Sequence, residues 1–403
     1  MGKGRQDMSK KNLVILLIFY LVSSVISFFS FSYFSKEKVV AVNEPATEPK
    51  ESILGGLLDI DPNEPRDQAC PLNGKYYTLT EKKAWETRRP LFVMIENSPD
   101  ARPHSGLSRA DVVFEAVAEG GVTRFGALYY CAAQNENVVI APVRSARTYF
   151  VDWASGFNLP MYVHVGGANL SGPSNALGQI ADYGWRGEND MDQFSIGYPT
   201  FIRNYSRIPD KEVDTEHTMQ TDTEALWAVA ADRGWTNITP ERVVNRQTIP
   251  ATPWQEGYQG WTFEDEVGEP GAVRKISYDF WTGYNQFSVE WNYDVDLDGY
   301  IRTNGGEVQY DLNNDEPIAP KTVIVLLTTE KGPINELKHM LYTTIGKGKA
   351  LIFKHGQEPI EANWSKPSRE AELQFTDVRG KAVELARGQI WISVLATGSE
   401  IVY

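Results

Sequence analysis

The sequence predicts an α+β fold that follows an N-terminal transmembrane helix. Three observations lead to this class. An uncharged apolar run covers residues 13–34, strand and helix patterns alternate over residues 89–237, and short segments rich in β-branched and aromatic residues follow from about residue 250. With 403 residues, the chain is long enough for two or three domains that each bury a core.

The apolar run at residues 13–34 predicts a membrane anchor. A helix of this length spans about 33 Å, enough to cross a hydrocarbon core of about 30 Å. Basic residues outnumber acidic ones before the run, so residues 1–12 are predicted to be a cytoplasmic tail and the rest to lie outside. A cleaved signal peptide is the alternative, but the run is longer than its usual apolar region and no A-x-A site follows closely.

Composition limits the partners of the predicted ectodomain. Residues 35–69 are rich in Pro and acidic residues and predict an extended tether. The chain has 53 Asp and Glu against 39 Lys and Arg, a net charge of −14. Nucleic-acid binding is therefore excluded, because a phosphate backbone requires a basic surface. An anionic ligand would need a local basic pocket.

Residues 70–240 predict a layered α/β domain, because strand and helix patterns are mixed along them. Thr221 and Glu224 are spaced as a capping box, and Gly234 ends that helix. The predicted strands are 90–95, 111–118, 123–131, 138–143 and 161–165, and the predicted helices are 145–155, 174–184 and 221–233. Residues 250–403 predict a mostly antiparallel β-domain, because their short segments are separated by Gly, Asn, Asp or Pro.

The chain has two cysteines, Cys70 and Cys131. In a cytosolic protein two distant cysteines would usually be unrelated thiols. Outside the membrane an even count favours a disulfide. We therefore predict a Cys70–Cys131 bridge.

Arg144 and Arg147 are the most suggestive candidate ligand-binding residues. They lie where a predicted strand passes into a predicted helix, three residues apart and therefore on one face. Cations at a helix N-terminus oppose the macrodipole, which is tolerated when an anion binds there. The alternative is that they pair with acids such as Asp111, Glu115 or Asp152 and only tie strands together.

Asp111, Glu115 and Glu119 lie on one face of a predicted strand, and Arg124 follows the next turn. Such a set could hold a divalent cation beside a phosphate, or it could form a ladder of ion pairs. The predicted ligand-binding set is Arg144, Arg147, Arg124 and Asp111.

Asp294, Asp296 and Asp298, followed by Gly299, resemble the opening of a calcium loop. Gly305 stands where a bidentate Glu is required, and strands flank the segment. A hairpin turn rich in Asp and Gly is the alternative. The possible cofactor is thus a divalent cation, Mg²⁺ or Ca²⁺. The five histidines show no zinc spacing, and no serine-hydrolase elbow or P-loop is present.

Several longer strings resemble the YerB-like family of bacterial envelope lipoproteins, a two-domain family of unknown function. They are RPLFVMIEN (89–97), ARPHSGL (101–107), ADVVFE (110–115), EGGVTRF (119–125) and PVRSAR (142–147). The resemblance covers nearly all of residues 70–400 and implies an α/β domain followed by a β-domain. Many relatives attach to the membrane through a lipidated Cys, whereas no Cys lies near Phe34 here.

A weaker resemblance of order links the chain to the LytR-CpsA-Psr glycopolymer phosphotransferases. The order is Arg109-x-Asp111, then residues 142–147, then Gly166-Gly167, then a helix over 221–234. In that family Arg and Asp residues hold a lipid-linked pyrophosphate and its magnesium ion. The motifs themselves differ from those of this chain, so the likeness is an analogy in the order of motifs.

Three functions remain open for the predicted membrane-tethered envelope protein. The first is binding of an anionic cell-wall or lipid-linked ligand through the arginines, without turnover. The second is a metal-dependent glycopolymer phosphotransferase that uses the same arginines with Asp111. The third is an envelope scaffold whose arginines are structural. Whether the protein is an enzyme stays open at this point.

Overall fold

The computed structural model describes residues 58–403, apart from Asn245 and Val267. The predicted tail, the anchor and most of the tether lie outside these residues. Within the described range, no helix is both long enough and apolar enough to cross a membrane.

The described residues form a β-rich α+β fold, with 37% strand and 16% helix. The α-helices are α1 Leu79–Trp85, α2 Thr148–Ser155, α3 Ala176–Asp182, α4 Gln193–Ile196 and α5 Thr223–Asp232. Short 3₁₀ helices cover Pro99–Ala101, Leu107–Arg109, Trp185–Gly187, Thr215–His217, Trp254–Gly257 and Asn285–Phe287.

The strands follow one another along the whole described chain. They are β1 Arg66–Ala69, β2 Tyr76–Thr78, β3 Leu91–Glu96, β4 Val112–Glu119, β5 Val122–Tyr129, β6 Val139–Ile140, β7 Met161–His164, β8 Asp190–Asp192, β9 Ile202–Arg203, β10 Met219–Asp222, β11 Ile238–Thr239, β12 Arg242–Val244, β13 Gln247–Ile249, β14 Thr252–Pro253, β15 Thr262–Phe263, β16 Lys275–Tyr278, β17 Val289–Asp294, β18 Gly299–Asn304, β19 Glu307–Val308, β20 Thr322–Thr328, β21 Glu330–Lys331, β22 Leu341–Tyr342, β23 Gly346–Lys354, β24 Ile360–Lys366, β25 Gln374–Asp377, β26 Glu384–Leu385, β27 Ile390–Ala396 and β28 Ile401–Val402.

A ten-stranded sheet forms the centre of the fold, in the order β25-β24-β23-β20-β27-β4-β5-β3-β7-β8. Strands from both predicted domain ranges enter it, because β27 pairs in parallel with β4. A five-stranded sheet has the order β19-β18-β17-β16-β28. The central strands have continuous apolar sequences. Strand β3 is buried along its whole length, as expected for a sheet covered on both faces.

Two neighbouring residues of β4 show what packs against each face of the ten-stranded sheet. Phe114 stacks on Trp153 of α2, with ring centroids 5.5 Å apart. The next residue, Glu115, points to the opposite face and meets Arg302 of the five-stranded sheet. The fold is therefore layered, with helix on one side of the ten-stranded sheet and a second sheet on the other.

Three local predictions are corrected by the structure. The predicted helix 145–155 begins at Thr148, so Arg144 lies in an extended strap (142–147) and Arg147 is the N-cap residue. The cap of α5 is Asp222, which accepts a hydrogen bond from Ala225 N, whereas Thr221 belongs to β10. The last residues of the predicted tether form β1, which pairs with β2.

Candidate functional site

The candidate site lies at the edge of the ten-stranded sheet where several strands end. Strands β3, β7 and β8 run parallel, and β4 shares their direction because both β3 and β4 are antiparallel to β5. The carboxyl ends of these strands therefore meet at one edge, where open α/β sheets commonly bind ligands. Glu96 ends β3, Glu119 ends β4, and Arg124 of β5 pairs with Glu96 in register.

Two buried arginines hold the carboxylate of Glu119. Arg124 donates from Nη2 to Glu119 Oε1 at 2.8 Å and from Nη1 to the carbonyl of Ser145 at 2.9 Å. Arg147 donates from Nε to Glu119 Oε2 at 3.0 Å and also contacts it through Nη2. Burial alone would raise the pKa of Glu119, but the charges of Arg124 and Arg147 lower it to about 2. Glu119 is thus ionised at any physiological pH, and its side chain is 28% exposed.

The third arginine is the one with most access to solvent. Arg144 lies with Nε 3.4 Å from Glu96 Oε2, and its side chain is 29% exposed. That Nε is buried and makes no hydrogen bond. His217 contacts the same carboxylate, with Nδ1 2.8 Å from Oε2. Burial favours a raised pKa for Glu96, but the His217 hydrogen bond and Arg144 lower it overall.

Around Glu96 and Glu119 the edge therefore carries a surplus of positive charge, and Asp192, the acid that ends β8 at the same edge, accepts a hydrogen bond from Gly166 N at 2.9 Å. Three guanidinium groups face two carboxylates, and the hydrogen bond to Glu96 raises the pKa of His217, which favours its cationic form. The surplus is local, because the chain as a whole has a net charge of −14. We call Arg124, Arg144, Arg147, Glu96 and Glu119 the arginine edge.

Asp111 does not belong to this edge, which corrects the predicted four-residue set. It precedes β4, and eight residues of extended chain, about 26 Å, separate it from Glu119. Its carboxylate is fully buried and accepts hydrogen bonds from Tyr130 N at 2.7 Å and Asn73 Nδ2 at 2.6 Å. Burial raises the pKa of Asp111 to about 7. Asp111 organises the chain around the disulfide.

The predicted disulfide between Cys70 and Cys131 is confirmed, with Cα atoms 6.0 Å apart. These two cysteines and Asp111 are the one group of three metal-ligand side chains that converges among the described residues. The two sulfurs are bonded to each other, so no thiolate is available to a metal ion.

Glu115, the middle acid of the predicted row, is part of the interior. Both of its oxygens accept hydrogen bonds from Arg302 Nη2, at 2.8 and 2.9 Å. The Arg302 guanidinium also lies 4.7 Å from the ring of Trp391 and 5.1 Å from that of Trp291. For Glu115 the structure thus agrees with the ion-pair alternative.

The Asp-rich segment forms the turn between β17 and β18, in which Asp294 pairs with Gly299. Asp294 Oδ1 accepts hydrogen bonds from the backbone N–H groups of Asp296 and Leu297, both at 2.9 Å. Asp298 points to His355, with Oδ1 2.9 Å from Nδ1. Asp294, Asp296 and Asp298 do not converge on one point, so the arrangement matches the hairpin alternative.

Sequence reasoning did not identify a cleft beside the arginine edge. Its volume is about 580 Å³. One wall belongs to residues 171–174 and the other to residues 331–341, so no local motif could have revealed it. The lining residues are Ser171, Pro173, Ser174, Lys331, Gly332, Pro333, Ile334, Asn335 and Leu341.

His339 connects the cleft to the arginine edge. Its backbone forms a bridge with Glu119, and Gly120 N donates to the carbonyl of Lys338 at 3.3 Å. Its Nδ1 lies 3.0 Å from Asn335 Nδ2 and 3.4 Å from Ser174 Oγ. Burial and the charge of Arg147 lower the pKa of His339. A neutral imidazole therefore separates the arginines from the cleft.

Fold and site together define a layered α+β protein with a cationic edge on an acidic chain. Comparison with known proteins identifies its family. Residues 78–236 match the family described as Protein of unknown function (DUF3048) N-terminal domain, and residues 276–392 match the DUF3048 C-terminal domain. The two matches together cover more than half of the chain, which therefore belongs to the DUF3048 family.

A curated protein and a solved structure that both carry the name YerB are also similar to this chain. The chain is 29% identical over 350 residues to "Putative lipoprotein YerB" of Bacillus subtilis strain 168, covering 84% of this chain and 89% of the relative. The crystal structure of YerB protein from Bacillus subtilis superimposes with a TM-score of 0.63 at 25% identity, over 83% of this chain and 100% of that chain. The resemblance to a YerB-like family is thereby confirmed.

Proposed function

We propose that this protein is an extracytoplasmic envelope protein that binds an anionic ligand, one bearing phosphate or carboxylate, at the arginine edge. The name of the Bacillus subtilis relative describes a lipoprotein, which supports a location at the envelope. The apolar run at residues 13–34 supports attachment through a single membrane-spanning helix. On this proposal the described residues lie outside the cytoplasm.

The unequal number of arginines and acids at the edge carries the proposal. Arg124 and Arg147 share one carboxylate, so their pairing with Glu119 leaves one positive charge unbalanced. Arg144 keeps a buried Nε without a hydrogen bond although it lies beside Glu96. The side chain of Arg144 is nevertheless 29% exposed, so its guanidinium group can offer a charge-assisted hydrogen bond to an anionic oxygen from outside.

The transferase alternative receives no support from this geometry. It requires Asp111 to hold a divalent cation beside the arginines. Asp111 instead lies about 26 Å from Glu119 along β4 and is enclosed beside the disulfide. Binding without turnover is therefore the function that we propose.

The test is calorimetric titration of the full-length protein in detergent with pyrophosphate at low ionic strength. We expect Arg144→Gln to bind at least about tenfold more weakly than wild type, because one charge-assisted hydrogen bond contributes about 1.5–3 kcal/mol. Arg379→Gln is the matched control, because Arg379 is exposed and follows β25 at the far end of the sheet. Equal binding by Arg144→Gln and wild type would refute the arginine edge as the binding site, and no binding by wild type would refute anion binding and leave the scaffold alternative.

A further inference from the structure

The cleft beside the arginine edge has walls from distant parts of the chain that are fastened to each other. Ser174 belongs to one wall and Asn335 to the other, and Asn335 Nδ2 lies 3.3 Å from Ser174 Oγ. Asn335 also accepts from the backbone N–H of His339 through Oδ1 at 3.1 Å. The cleft is thus built into the fold, as most small-molecule sites are.

The lining of the cleft is partly polar and partly apolar. Four lining side chains carry hydrogen-bonding groups, Ser171, Ser174, Lys331 and Asn335, and four are apolar, Pro173, Pro333, Ile334 and Leu341. A pyranose ring has the same character, because its C–H faces are apolar and its rim carries hydroxyl groups. A volume of about 580 Å³ lies within the range of about 300–1,000 Å³ typical of small-molecule sites.

Positive charge lies on one side of this cleft. Lys331 is part of the lining. Arg147 lies close enough to His339 for its charge to lower the pKa of that histidine. The charge of Glu119 on that side is already shared by Arg124 and Arg147. A saccharide that carries an acidic group would therefore be favoured over a neutral one.

An exposed aromatic ring, that of Phe194, lies beside the arginine edge, and a second exposed ring, that of Tyr198, follows four residues later in the chain. Phe194 is 76% exposed and Tyr198 is 84% exposed. The ring of Phe194 lies against Gly166, where a Cβ would come within 3.0 Å of it. Gly166 accepts a hydrogen bond from Ala146 N at 2.9 Å, so the ring lies beside the strap that carries the arginines. Large rings left in solvent mark interaction surfaces, and they suit the apolar faces of further sugar units.

We propose that the cleft binds one sugar unit of an acidic saccharide, whose phosphate or carboxylate group is recognised by Lys331 and the arginine edge. This inference rests on the proposed function, because it names the class of anion that the edge binds. Phe194 extends the surface for a chain of more than one sugar.

The experiment compares four probes by calorimetry on the full-length protein in detergent. They are a phosphorylated disaccharide, a disaccharide with a uronic acid, the corresponding neutral disaccharide and inorganic phosphate. We expect at least one acidic disaccharide to bind about tenfold more tightly than both the neutral disaccharide and inorganic phosphate. The better of the two acidic probes identifies phosphate or carboxylate as the recognised group.

Two variants locate the saccharide in the cleft. Leu341→Trp fills it and should abolish the tenfold advantage of the acidic disaccharide while inorganic phosphate binds as before. Leu337→Trp is its control, because Leu337 lies on the same loop, is exposed and is outside the lining. Lys331→Gln should weaken the acidic disaccharide several-fold, and Lys83→Gln on α1 should not. If Leu341→Trp loses its native near-ultraviolet circular dichroism, Lys331→Gln decides.

The outcomes separate this inference from the proposed function. If inorganic phosphate and pyrophosphate bind and Arg144→Gln weakens them, but no disaccharide binds more tightly, the saccharide inference is wrong and anion binding stands. If an acidic disaccharide binds tightly in wild type, Leu341→Trp and Lys331→Gln alike, the cleft is the wrong place. If no probe binds, both proposals fail.

Discussion

Glu115 and Glu119 lie on the same strand, four residues apart, and both pair with arginine, yet they belong to different kinds of environment. Glu115 is fully buried and meets one arginine, Arg302, which aromatic rings enclose. Glu119 is partly exposed and meets two arginines. The interior pair is closed and electrically balanced, whereas the pair at the sheet edge is open and carries a surplus of positive charge.

This difference shows how a structural ion pair can be told apart from a binding site. Burying a charge is costly unless a partner of opposite charge and enough hydrogen bonds accompany it. Glu115 satisfies this requirement inside the protein, because Thr123 Oγ1 at 3.0 Å and Trp391 Nε1 at 3.2 Å donate to its carboxylate in addition to Arg302. At the arginine edge the protein supplies fewer acids than arginines, so an anion from outside would complete the balance.

The largest effect should come from breaking the interior pair. Arg302→Leu leaves the Glu115 carboxylate buried without a cationic partner, and we expect it to lower the free energy of unfolding by about 3–5 kcal/mol. Urea denaturation of wild type and variant measures the difference. The double variant Arg302→Leu, Glu115→Leu should recover part of the loss, because it removes the unpaired charge. A loss below about 1 kcal/mol for the single variant would show that the pair resembles a surface salt bridge.

We expect Glu119→Gln to lower the stability by an intermediate amount and to strengthen the binding of pyrophosphate. Arg124 and Arg147 then lose their carboxylate, and we expect a stability loss of about 1–2 kcal/mol, less than for a fully enclosed pair because Glu119 is partly exposed. The surplus of positive charge at the edge rises, so pyrophosphate should bind several-fold more tightly in calorimetry. Weaker binding by Glu119→Gln would mean that Glu119 itself contacts the ligand or orders the site for it.

The smallest effect is a pH dependence that the edge should show and the interior pair should not. The hydrogen bond that His217 donates to Glu96 raises the pKa of His217 above its usual 6.5. A raised pKa in the folded state means that the His217–Glu96 contact contributes its full stability below pH 6.5 and loses it as the pH rises through the folded pKa. Glu96 stays ionised throughout, because its own pKa is lowered.

This dependence is measured as the difference in Tm between wild type and His217→Gln from pH 6 to pH 9. We expect the largest difference at pH 6 and a smaller one at each higher pH. The Arg302–Glu115 pair is the reference. The difference in Tm between wild type and Arg302→Leu should change much less over the same pH range. A His217 difference that stays constant with pH would show that His217 contributes by packing alone.

Much of the fold could be predicted from the sequence because its signals are local. The apolar run that forms β3 and the turn at Gly120-Gly121 between β4 and β5 are visible in a few consecutive residues. The disulfide was predictable because the chain offers a single possible pair of cysteines. The start of α2 was not, because the strap before it is held in extended form by Gly166 and Met94, through bonds to distant backbone.

The candidate site was predictable only in part. Arg124, Arg144 and Arg147 were identified from their strings, and the structure brings them to one edge. Asp111 was grouped with them because it was predicted to share a strand with Glu119. Two residues eight positions apart on an extended strand are, however, about 26 Å apart in space. Glu96 and His217 were not assigned to the site, since 121 residues separate them.

By itself the amino-acid sequence determined many of the strands, which cysteines pair and which family the chain belongs to. Those properties depend on side-chain period, on composition and on strings of neighbouring residues. Only the tertiary structure decided which arginines are already paired, that Asp111 is enclosed and that residues 171–174 and 331–341 form one cleft. The reason is physical: the charge balance and the shape of a site depend on contacts between residues far apart in the chain, and no local pattern encodes them.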